Sequence, residues 1–192
     1  MKFNQKDSII NLAITIGGFE PCQDRKVAAL RFPSMCSGIF LRRKTMIDDQ
    51  YFMNKAYEEA LKAYQIDEVP VGAVVVKDNQ IIARAHNQRQ TKQSVLAHGE
   101  ALAIEIASKK LNSWRLDECT LYVTLEPCLM CTGIIVQSRI KRVVFGCFDT
   151  RWSSLSDILS KDLKFNHQVD IDSGILEEQC SSLIKQYFKE KR

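Results

Sequence analysis

Hydrophobic and polar positions follow two different periods along this chain. Runs of β-branched residues bounded by turn-forming residues predict strands, and apolar residues three or four positions apart predict helices. Because the two kinds of segment alternate, they favour an α/β domain with helices on both faces of one mixed sheet. The predicted strands are residues 71–77, 81–86, 120–125, 142–147 and 169–171, and the predicted helices are about 48–64, 98–111, 127–137, 153–160 and 175–189.

The first 45 residues lack such a period and contain two adjacent glycines and two prolines. Asp48 and Asp49 offer N-caps for the first periodic helix, so we expect the domain to span residues 46–192 and residues 1–45 to be an N-terminal extension. A start codon assigned too far upstream would explain the extension, and a targeting segment is the alternative. Residues 9–19 make a poor signal peptide because polar residues and glycines interrupt them.

Length and charge narrow the functional classes. A chain of 192 residues with 45% hydrophobic and 26% charged residues is typical of one globular domain. No stretch reaches the roughly 20 apolar residues of a membrane helix, so no membrane partner is expected. The formal charge of +4 arises in residues 1–45, which carry eight Lys/Arg and three Asp/Glu. Binding of nucleic acid by residues 46–192 would therefore need a local basic patch.

The seven cysteines are scattered, except for Cys128 and Cys131. This odd number, without a signal peptide, favours free thiols in a cytoplasmic protein, where a close Cys pair indicates metal or redox chemistry. Cys119 and Cys147 lie in or beside predicted strands and are expected to be small buried hydrophobes. The remaining cysteines have no partner in the pattern; they are Cys22, Cys36 and Cys180.

Two short motifs carry candidate metal chemistry. Pro127 is suited to the first position of a helix, which would place Cys128 in the first turn and Cys131 one turn later on the same face. The helix dipole there favours a thiolate. His98, at the start of the preceding helix, can supply a third ligand. Three protein ligands with one open position are typical of catalytic zinc.

Glu100 is the candidate proton shuttle. Residues two apart in a helix do not share a face, so His98 and Glu100 converge only if His98 lies at the helix entrance, where Gly99 leaves room. Zinc lowers the pKa of a bound water to about 7. A nearby glutamate can take that proton and pass it to a ring nitrogen and then to a departing amine.

Each motif taken alone also occurs outside catalytic zinc sites. A Cys-x-x-Cys pair is found in redox sites, as half of a structural zinc site, or by coincidence, and a lone histidine at a helix start is more often a cap or a core residue. A structural site needs four ligands, and no second Cys-x-x-Cys completes it. The combination H-x-E before P-C-x-x-C makes coincidence improbable.

These residues form the signature of the zinc nucleobase deaminases, so the chain resembles the cytidine-deaminase-like superfamily. Within it, the chain most resembles the bacterial tRNA-specific adenosine deaminases. The resemblance implies a three-layer α/β/α sandwich around one mixed five-stranded sheet, one zinc ion per subunit, a homodimer, and conversion of adenosine to inosine at the wobble position of tRNA. The resembling stretches are residues 68–74, 87–98, 120–131, 138–146, 166–167 and 174–176.

The resemblance also implies substrate contacts. Asn87 and Asn166 match substrate-binding asparagines, Val69 and Pro70 match the apolar wall of the base pocket, and Asp149 matches a residue that touches the neighbouring ribose. An aromatic pair near the flanking nucleotides corresponds to Tyr187 and Phe188, and for one of the two ordinary helix packing is the expected role. A candidate patch for the RNA backbone consists of Arg139, Lys141 and Arg142.

This chain departs from the family pattern in two loops. Gln88-Arg89 and Ser94-Val95-Leu96 replace family residues before His98, and the stretch after Asp149 is shorter and lacks the family's glycines. The rival functions are deamination of a free base, nucleoside or nucleotide (cytosine, cytidine, deoxycytidylate or guanine) and a non-catalytic subunit that binds zinc and RNA. Loss of the shuttle glutamate would mark the latter, and Glu100 is present.

Overall fold

The computed structural model of the protein describes residues 37–161 and 164–192, with side chains from residue 48 onward. Five helices and five strands lie within these residues. Their bounds are α1 Ser37–Gln65, β1 Gly72–Lys77, β2 Gln80–His86, α2 Gly99–Leu111, β3 Thr120–Leu125, α3 Leu129–Gln137, β4 Arg142–Cys147, α4 Leu155–Ser160, β5 Asp170–Ser173 and α5 Glu177–Glu190.

The five strands form one mixed sheet in the order β2-β1-β3-β4-β5. Strand β1 is antiparallel to both β2 and β3, whereas β3, β4 and β5 run parallel. The hairpin between β1 and β2 turns at Asp78 and Asn79, whose φ angles of 50° and 57° are those of the turn that matches strand twist. This arrangement confirms the predicted α/β class and the predicted mixed five-stranded sheet.

Apolar side chains on the two faces of the sheet form two cores. On one face, Phe52, Met53 and Ala56 of α1 pack against alternate residues of the central strands. On the other face, α2 and α3 cover the intervening residues with Ala103, Ile104, Ala107 and Ile135. Alternation along each strand thus supplies both cores, which is why the strands read as almost continuous apolar runs.

Helix α1 lies unusually close to β1. A Cβ atom at Gly72 would lie 2.1 Å from the carbonyl oxygen of Ala56 and 2.3 Å from the backbone nitrogen of Ala60. Both alanines are fully buried. The missing side chain of Gly72 therefore allows the backbone of the helix to rest on the backbone of the strand.

Two predicted helix starts are corrected by the structure. Helix α1 begins at Ser37 rather than near residue 48, because residues 39–47 contain good helix formers and no proline even though their apolar positions follow no clear period. Helix α3 begins at Leu129, so Cys128 is its N-cap and Pro127 precedes the helix. Residues 1–36, including Cys22 and Cys36, lie outside the described residues. Among the described residues, no helix is long and apolar enough to cross a membrane.

Candidate metal centre and active site

The candidate site lies at one edge of the sheet, where several chain segments meet. Because β1 is antiparallel to β3 and β4 is parallel to it, the start of β1 and the ends of β3 and β4 share this edge. The end of β2 joins them through the pairing of Gly72 with His86. The loops that leave this edge lead into the N-termini of α2 and α3, so the topology itself brings His98 near Cys128.

His98, Cys128 and Cys131 form a compact group of possible metal ligands. The Nδ1 atom of His98 lies 3.7 Å from Sγ of Cys128 and 3.6 Å from Sγ of Cys131. A tetrahedral zinc ion separates its nitrogen and sulfur ligands by about 3.5 Å, given bond lengths of about 2.0 and 2.3 Å. One nitrogen and two sulfur donors at these distances fit zinc in both chemistry and spacing.

The local electrostatics favour a thiolate at this group. Hydrogen bonding with the Cys131 thiol, and secondarily with His98, overcomes the effect of burial and lowers the pKa of Cys128 to about 4. The same contact with Cys128, together with burial, raises the pKa of Cys131. Hydrogen bonding with Cys128 is the main cause that raises the pKa of His98. Cys128 also caps α3, where the positive end of the helix dipole favours negative charge.

Glu100 lies in the first turn of α2 and is almost completely buried, with 4% of its surface exposed. Burial raises the pKa of this carboxyl group above its usual value. His98 is the N-cap of α2, with extended backbone angles (φ −76°, ψ 148°), so it precedes the helical repeat and can face the same site as Glu100. The helix-entrance geometry expected from the sequence is present. A Cβ at position 99 would lie 3.2 Å from the carbonyl oxygen of Val71, so glycine eases the close approach of α2.

A cleft of about 420 Å³ opens over the possible metal ligands. Four of the side chains expected to contact substrate line it, namely Val69, Asn87, Asp149 and Phe188, together with His98, Glu100 and Cys128. The other lining residues are Val71, Arg89, Leu125, Glu126, Arg151 and Trp152. Apolar walls with a few convergent polar groups are typical of a small-molecule or nucleobase site.

Glu68 is a site residue to which the sequence reasoning gave no role. It is 1% exposed; its Oε2 accepts a hydrogen bond from Nδ2 of Asn87 (3.1 Å), and its Oε1 accepts one from the backbone N–H of Thr91 (2.6 Å). Glu68 therefore fixes the orientation of the Asn87 amide and anchors the following loop. A glutamate beside the apolar Val69-Pro70-Val71 was the available signal, because a buried carboxylate needs dedicated donors.

Asp149 is engaged by a residue that the sequence reasoning did not single out. The Arg151 guanidinium donates to both carboxylate oxygens of Asp149 at 2.8 Å, and these bonds lower the pKa of Asp149. The backbone N–H of Asp149 in turn donates to Glu126, which is buried and also accepts from the backbone N–H of Ser156. The carboxylate of Glu126 thus holds both ends of the loop after β4, at Asp149 and at Ser156.

The remaining predicted substrate residues do not line the cleft. Pro70 is buried beside it, and exposed Asn166 accepts a hydrogen bond from Arg139 at 2.7 Å. Tyr187 is 8% exposed, and its hydroxyl donates to the carbonyl of Asp67 at 3.0 Å, so it packs α5 against the end of α1. Of the aromatic pair, Phe188 faces the cleft and Tyr187 has the packing role.

The three residues expected to form an RNA-binding patch are placed differently. Lys141 and Arg142 lie at the start of β4, at the edge of the sheet opposite the cleft, and carboxylates of Glu118 and Asp49 pair with them. Arg139 also bonds Asn166 rather than standing free. The patch stays a prediction, and the structure adds acidic partners for Lys141 and Arg142 that sequence proximity to α3 did not reveal. Besides Arg89 and Arg151 in the cleft itself, further basic side chains lie nearby. Lys185 and Lys189 of α5, and Arg192 just after it, line an adjoining groove.

Comparison with known proteins identifies close relatives. The model of the MafB19-like deaminases matches residues 47–192. The chain is 48% identical to a tRNA-specific adenosine deaminase of Bacillus subtilis (strain 168) over 150 residues, 77% of this chain and 92% of that protein. It is 40% identical to a tRNA-specific adenosine deaminase of Aquifex aeolicus (strain VF5) over 145 residues, 74% of this chain and 95% of that protein.

A solved structure shows the same fold. It comes from a study of A-to-I editing by tRNA:A34 deaminases at the wobble position of transfer RNA, and it matches with a TM-score of 0.66 and 38% identity over 69% of this chain and 98% of that chain. This likeness confirms the expected cytidine-deaminase-like sandwich. Relatives of this identity and coverage show that the chain belongs to the family of the tRNA-specific adenosine deaminases.

Proposed function

We propose that this protein hydrolyses adenosine to inosine at the wobble position of tRNA, using a zinc ion and Glu100. The observation that carries the proposal is the group of His98, Cys128 and Cys131 at two adjacent helix N-termini, with Glu100 in the same cleft. Its support from relatives is the name tRNA-specific adenosine deaminase, borne by proteins that are 48% and 40% identical.

One zinc ion would be held by His98, Cys128 and Cys131. Catalytic zinc sites have three protein ligands and keep a fourth coordination position open, whereas structural zinc sites have four protein ligands. When bound, zinc supplies a Lewis acid that makes water acidic enough to act as a nucleophile near neutral pH. Cys119, Cys147 and Cys180 are buried elsewhere as free thiols and serve packing.

Glu100 would move the protons of the reaction. The buried carboxylate takes a proton from the attacking water and delivers it to N1 of the purine as the oxygen adds to C6. It then carries the second proton of that water, now on the C6 hydroxyl, to the amino group. The C6–N bond breaks, and ammonia leaves. The product carries a carbonyl at C6 and is inosine. The raised pKa of Glu100 suits this role because a shuttle must both accept and release a proton.

The cleft would hold one extruded nucleoside. Val69 offers an apolar wall, and the Asn87 amide, held by Glu68, can bond the base or sugar. Asp149 stands where a ribose contact is expected, although its two oxygens already accept bonds from Arg151. Asn166, Pro70 and Tyr187 do not line the cleft, so we propose that they support its walls and do not contact the nucleoside directly.

Lys185 and Lys189 of α5, and Arg192 just after it, are the candidates for phosphate contacts of the flanking RNA. Each contact to a phosphate makes RNA binding weaken with salt. Binding through such local groups agrees with a domain whose charge is balanced outside residues 1–45. Together with the reducing environment suited to free thiols, this substrate supports a location in the cytoplasm.

A homodimer is also proposed. Val95, Leu96 and Leu129 are 65%, 60% and 68% exposed near the entrances to α2 and α3, and large apolar side chains of this kind are often covered by a partner subunit. Sedimentation equilibrium should give twice the mass of 22.0 kDa. A monomer at micromolar concentration would contradict this part of the proposal.

We further infer that residues 46–192 form the deaminase domain, with residues 1–45 as an extension whose last nine residues continue α1. The family match to residues 47–192 supports the boundary. Limited proteolysis followed by mass spectrometry tests it, and protection of residues 1–40 would show that the extension belongs to the folded unit.

The function is tested by incubating the purified protein with a transcribed tRNA that carries adenosine at the wobble position and measuring inosine. The matched control RNA carries adenosine only elsewhere in the anticodon loop. Inosine in the first RNA alone is expected. Turnover of guanine, cytosine, cytidine or deoxycytidylate without inosine in tRNA would favour the rival deaminase function.

The roles in the site are separated by metal analysis. Glu100→Ala should abolish turnover while keeping one zinc per subunit, whereas Cys128→Ala should lose both zinc and turnover. Cys119→Ala is the control, because this buried thiol lies at the opposite edge of the sheet and should keep both. Loss of zinc from Glu100→Ala would show that the carboxylate is a ligand.

A further inference from the structure

The loop that follows β4 presents an aromatic side chain at the rim of the cleft. Trp152 is 63% exposed and lines the cleft together with Arg151, Phe188 and Cys128. This loop reads Thr150-Arg151-Trp152-Ser153-Ser154, and it is one of the two loops in which the resemblance implies a departure from the family pattern.

Trp152 belongs to a stack of three side chains. The guanidinium carbon of Arg151 lies 4.9 Å from the ring centroid of Trp152 and 5.4 Å from that of Phe188. Asp149 holds the same guanidinium through two hydrogen bonds of 2.8 Å. Arg151 thus contacts both aromatic rings, and its charge is balanced by a carboxylate.

The backbone also fixes this loop. Ser154 pairs with Cys128 in an isolated antiparallel bridge, the backbone N–H of Leu155 donates to the carbonyl of Pro127 at 2.9 Å, and the Ser154 hydroxyl donates to the carbonyl of Trp152. The indole is therefore presented on an ordered segment that adjoins a candidate metal ligand. Little conformational entropy remains to be lost when a flat ligand settles on it.

We propose that Trp152 is a stacking platform for the unpaired base next to the reacting adenosine. The inference rests on the proposed function, which puts an anticodon loop at this cleft. Unpaired bases are recognised by stacking on aromatic rings and on guanidinium planes, and Trp152 backed by Arg151 offers both. Because Asp149 balances the charge of Arg151, the contact works through stacking and not through attraction to phosphate.

Trp114 provides a matched control within the same chain. It is 61% exposed, and Arg115 lies over its ring at 5.5 Å, so its local environment is similar. It precedes β3, whose first residue lies at the edge of the sheet away from the cleft. The two tryptophans are the only ones in the sequence.

The test compares Trp152→Ala, Trp152→Phe and Trp114→Ala on an anticodon stem-loop with adenosine at the wobble position. Trp152→Ala should raise KM by about 5- to 20-fold through the loss of one stacked base. This is the lower part of the range for such a loss, and we choose it because Arg151 already covers part of the indole ring. Its kcat should stay within about twofold, and the dependence of KM on salt should not change. Trp152→Phe should restore most of the affinity, and Trp114→Ala should behave as wild type.

A second RNA set identifies the contact. Replacing each nucleotide beside the wobble adenosine by an abasic site should weaken binding to the wild type at one position, and at that position Trp152→Ala should show no further loss. Additive losses at both positions, or equal behaviour of Trp152→Ala and Trp114→Ala, would overturn the inference. If the wild type forms no inosine in the intact stem-loop, the proposed function fails instead, so the two failures are distinguishable.

Fluorescence gives a readout that is independent of turnover. Trp114→Phe leaves Trp152 as the single tryptophan, and its emission should be quenched when the stem-loop binds. Trp152→Phe leaves Trp114, whose emission should not change. Quenching of Trp114 alone would place the RNA at the opposite edge and would also overturn the inference.

Discussion

Arg142 is expected to stabilise the fold and not to bind RNA, which Arg142→Met tests. Its guanidinium donates two hydrogen bonds of 2.8 Å to Asp49, which is 5% exposed, and one of 2.7 Å to Asp172. Removing one partner of a buried ion pair costs about 3–5 kcal/mol. Here the Arg142 side chain is 25% exposed and Tyr122 still donates to Asp49, so we expect a loss of about 2–3 kcal/mol.

Urea unfolding followed by circular dichroism measures this loss. For a protein of this size it corresponds to a fall in Tm of about 4–12 °C. Lys141→Met is the matched control, because Lys141 pairs with Glu118 at an exposed position and its loss should change stability by less than about 1 kcal/mol. Asp49→Asn combined with Arg142→Met should cost less than the sum of the two single changes, since the double variant leaves no buried charge unpaired.

The salt dependence of RNA binding decides between the two roles. A residue that contacts phosphate contributes about 0.7–0.9 to the slope of log K against log salt. Arg142→Met should leave that slope unchanged under conditions where the variant is folded. A slope reduced by this amount, with stability equal to that of wild type, would refute the structural role and restore the RNA-binding patch.

The remaining predictions concern pH, packing and one hydrogen bond. Burial would raise the pKa of Asp49, but hydrogen bonds from Arg142 and Tyr122 and the charge of Arg142 outweigh it and hold the pKa below its usual value. The stability that Asp49 contributes is therefore present above about pH 4 and is lost as the pH falls through the lowered pKa of Asp49. The difference in unfolding free energy between wild type and Arg142→Met should consequently become smaller in urea titrations from pH 6 to pH 3. A difference that stays constant would argue against the Asp49–Arg142 ion pair. Gly72→Ala should cost about 3 kcal/mol or more, since its Cβ would meet backbone atoms of α1 that cannot rotate away, and an unchanged Tm would contradict that contact. Tyr187→Phe should lose about 1 kcal/mol with its hydrogen bond while leaving inosine formation intact, and a selective loss of RNA affinity at unchanged stability would return this residue to the substrate site.

Regular patterns in the sequence were sufficient to predict most of the fold. The strands were predicted because apolar and β-branched runs are bounded by turn residues, and the structure places β3 and β4 at the predicted residues. The start of α1 was missed since helix propensity without an apolar period gives no sharp signal. The end of α3 was predicted correctly at Gln137. Its start was predicted at Pro127 but lies at Leu129, because proline is suited both to the residue before a helix and to its first turn.

The candidate site was predictable where chemistry depends on spacing. The three possible metal ligands follow from residue type and position near helix starts, and the convergence of Glu100 needed the N-cap conformation of His98, which the structure supplies. Contacts between distant segments were not predictable. The neutralisation of Arg142 by Asp49 and the arrangement of Arg151 on Asp149 join residues through tertiary packing, and no local pattern reports such pairs.

The bridge between Cys128 and Ser154 has a consequence for how this enzyme could be altered. The two segments are joined by backbone hydrogen bonds, including the bond from the N–H of Leu155 to the carbonyl of Pro127. Every residue except proline has the backbone N–H that such a bond needs, whatever its side chain. Side chains at the rim of the cleft can therefore be exchanged while the main chain keeps the cysteine in position. Given the proposed stacking role of Trp152, a library that varies only residues 150–153 should yield active enzymes with new preferences for the neighbouring nucleotide, because none of the varied side chains is a candidate metal ligand.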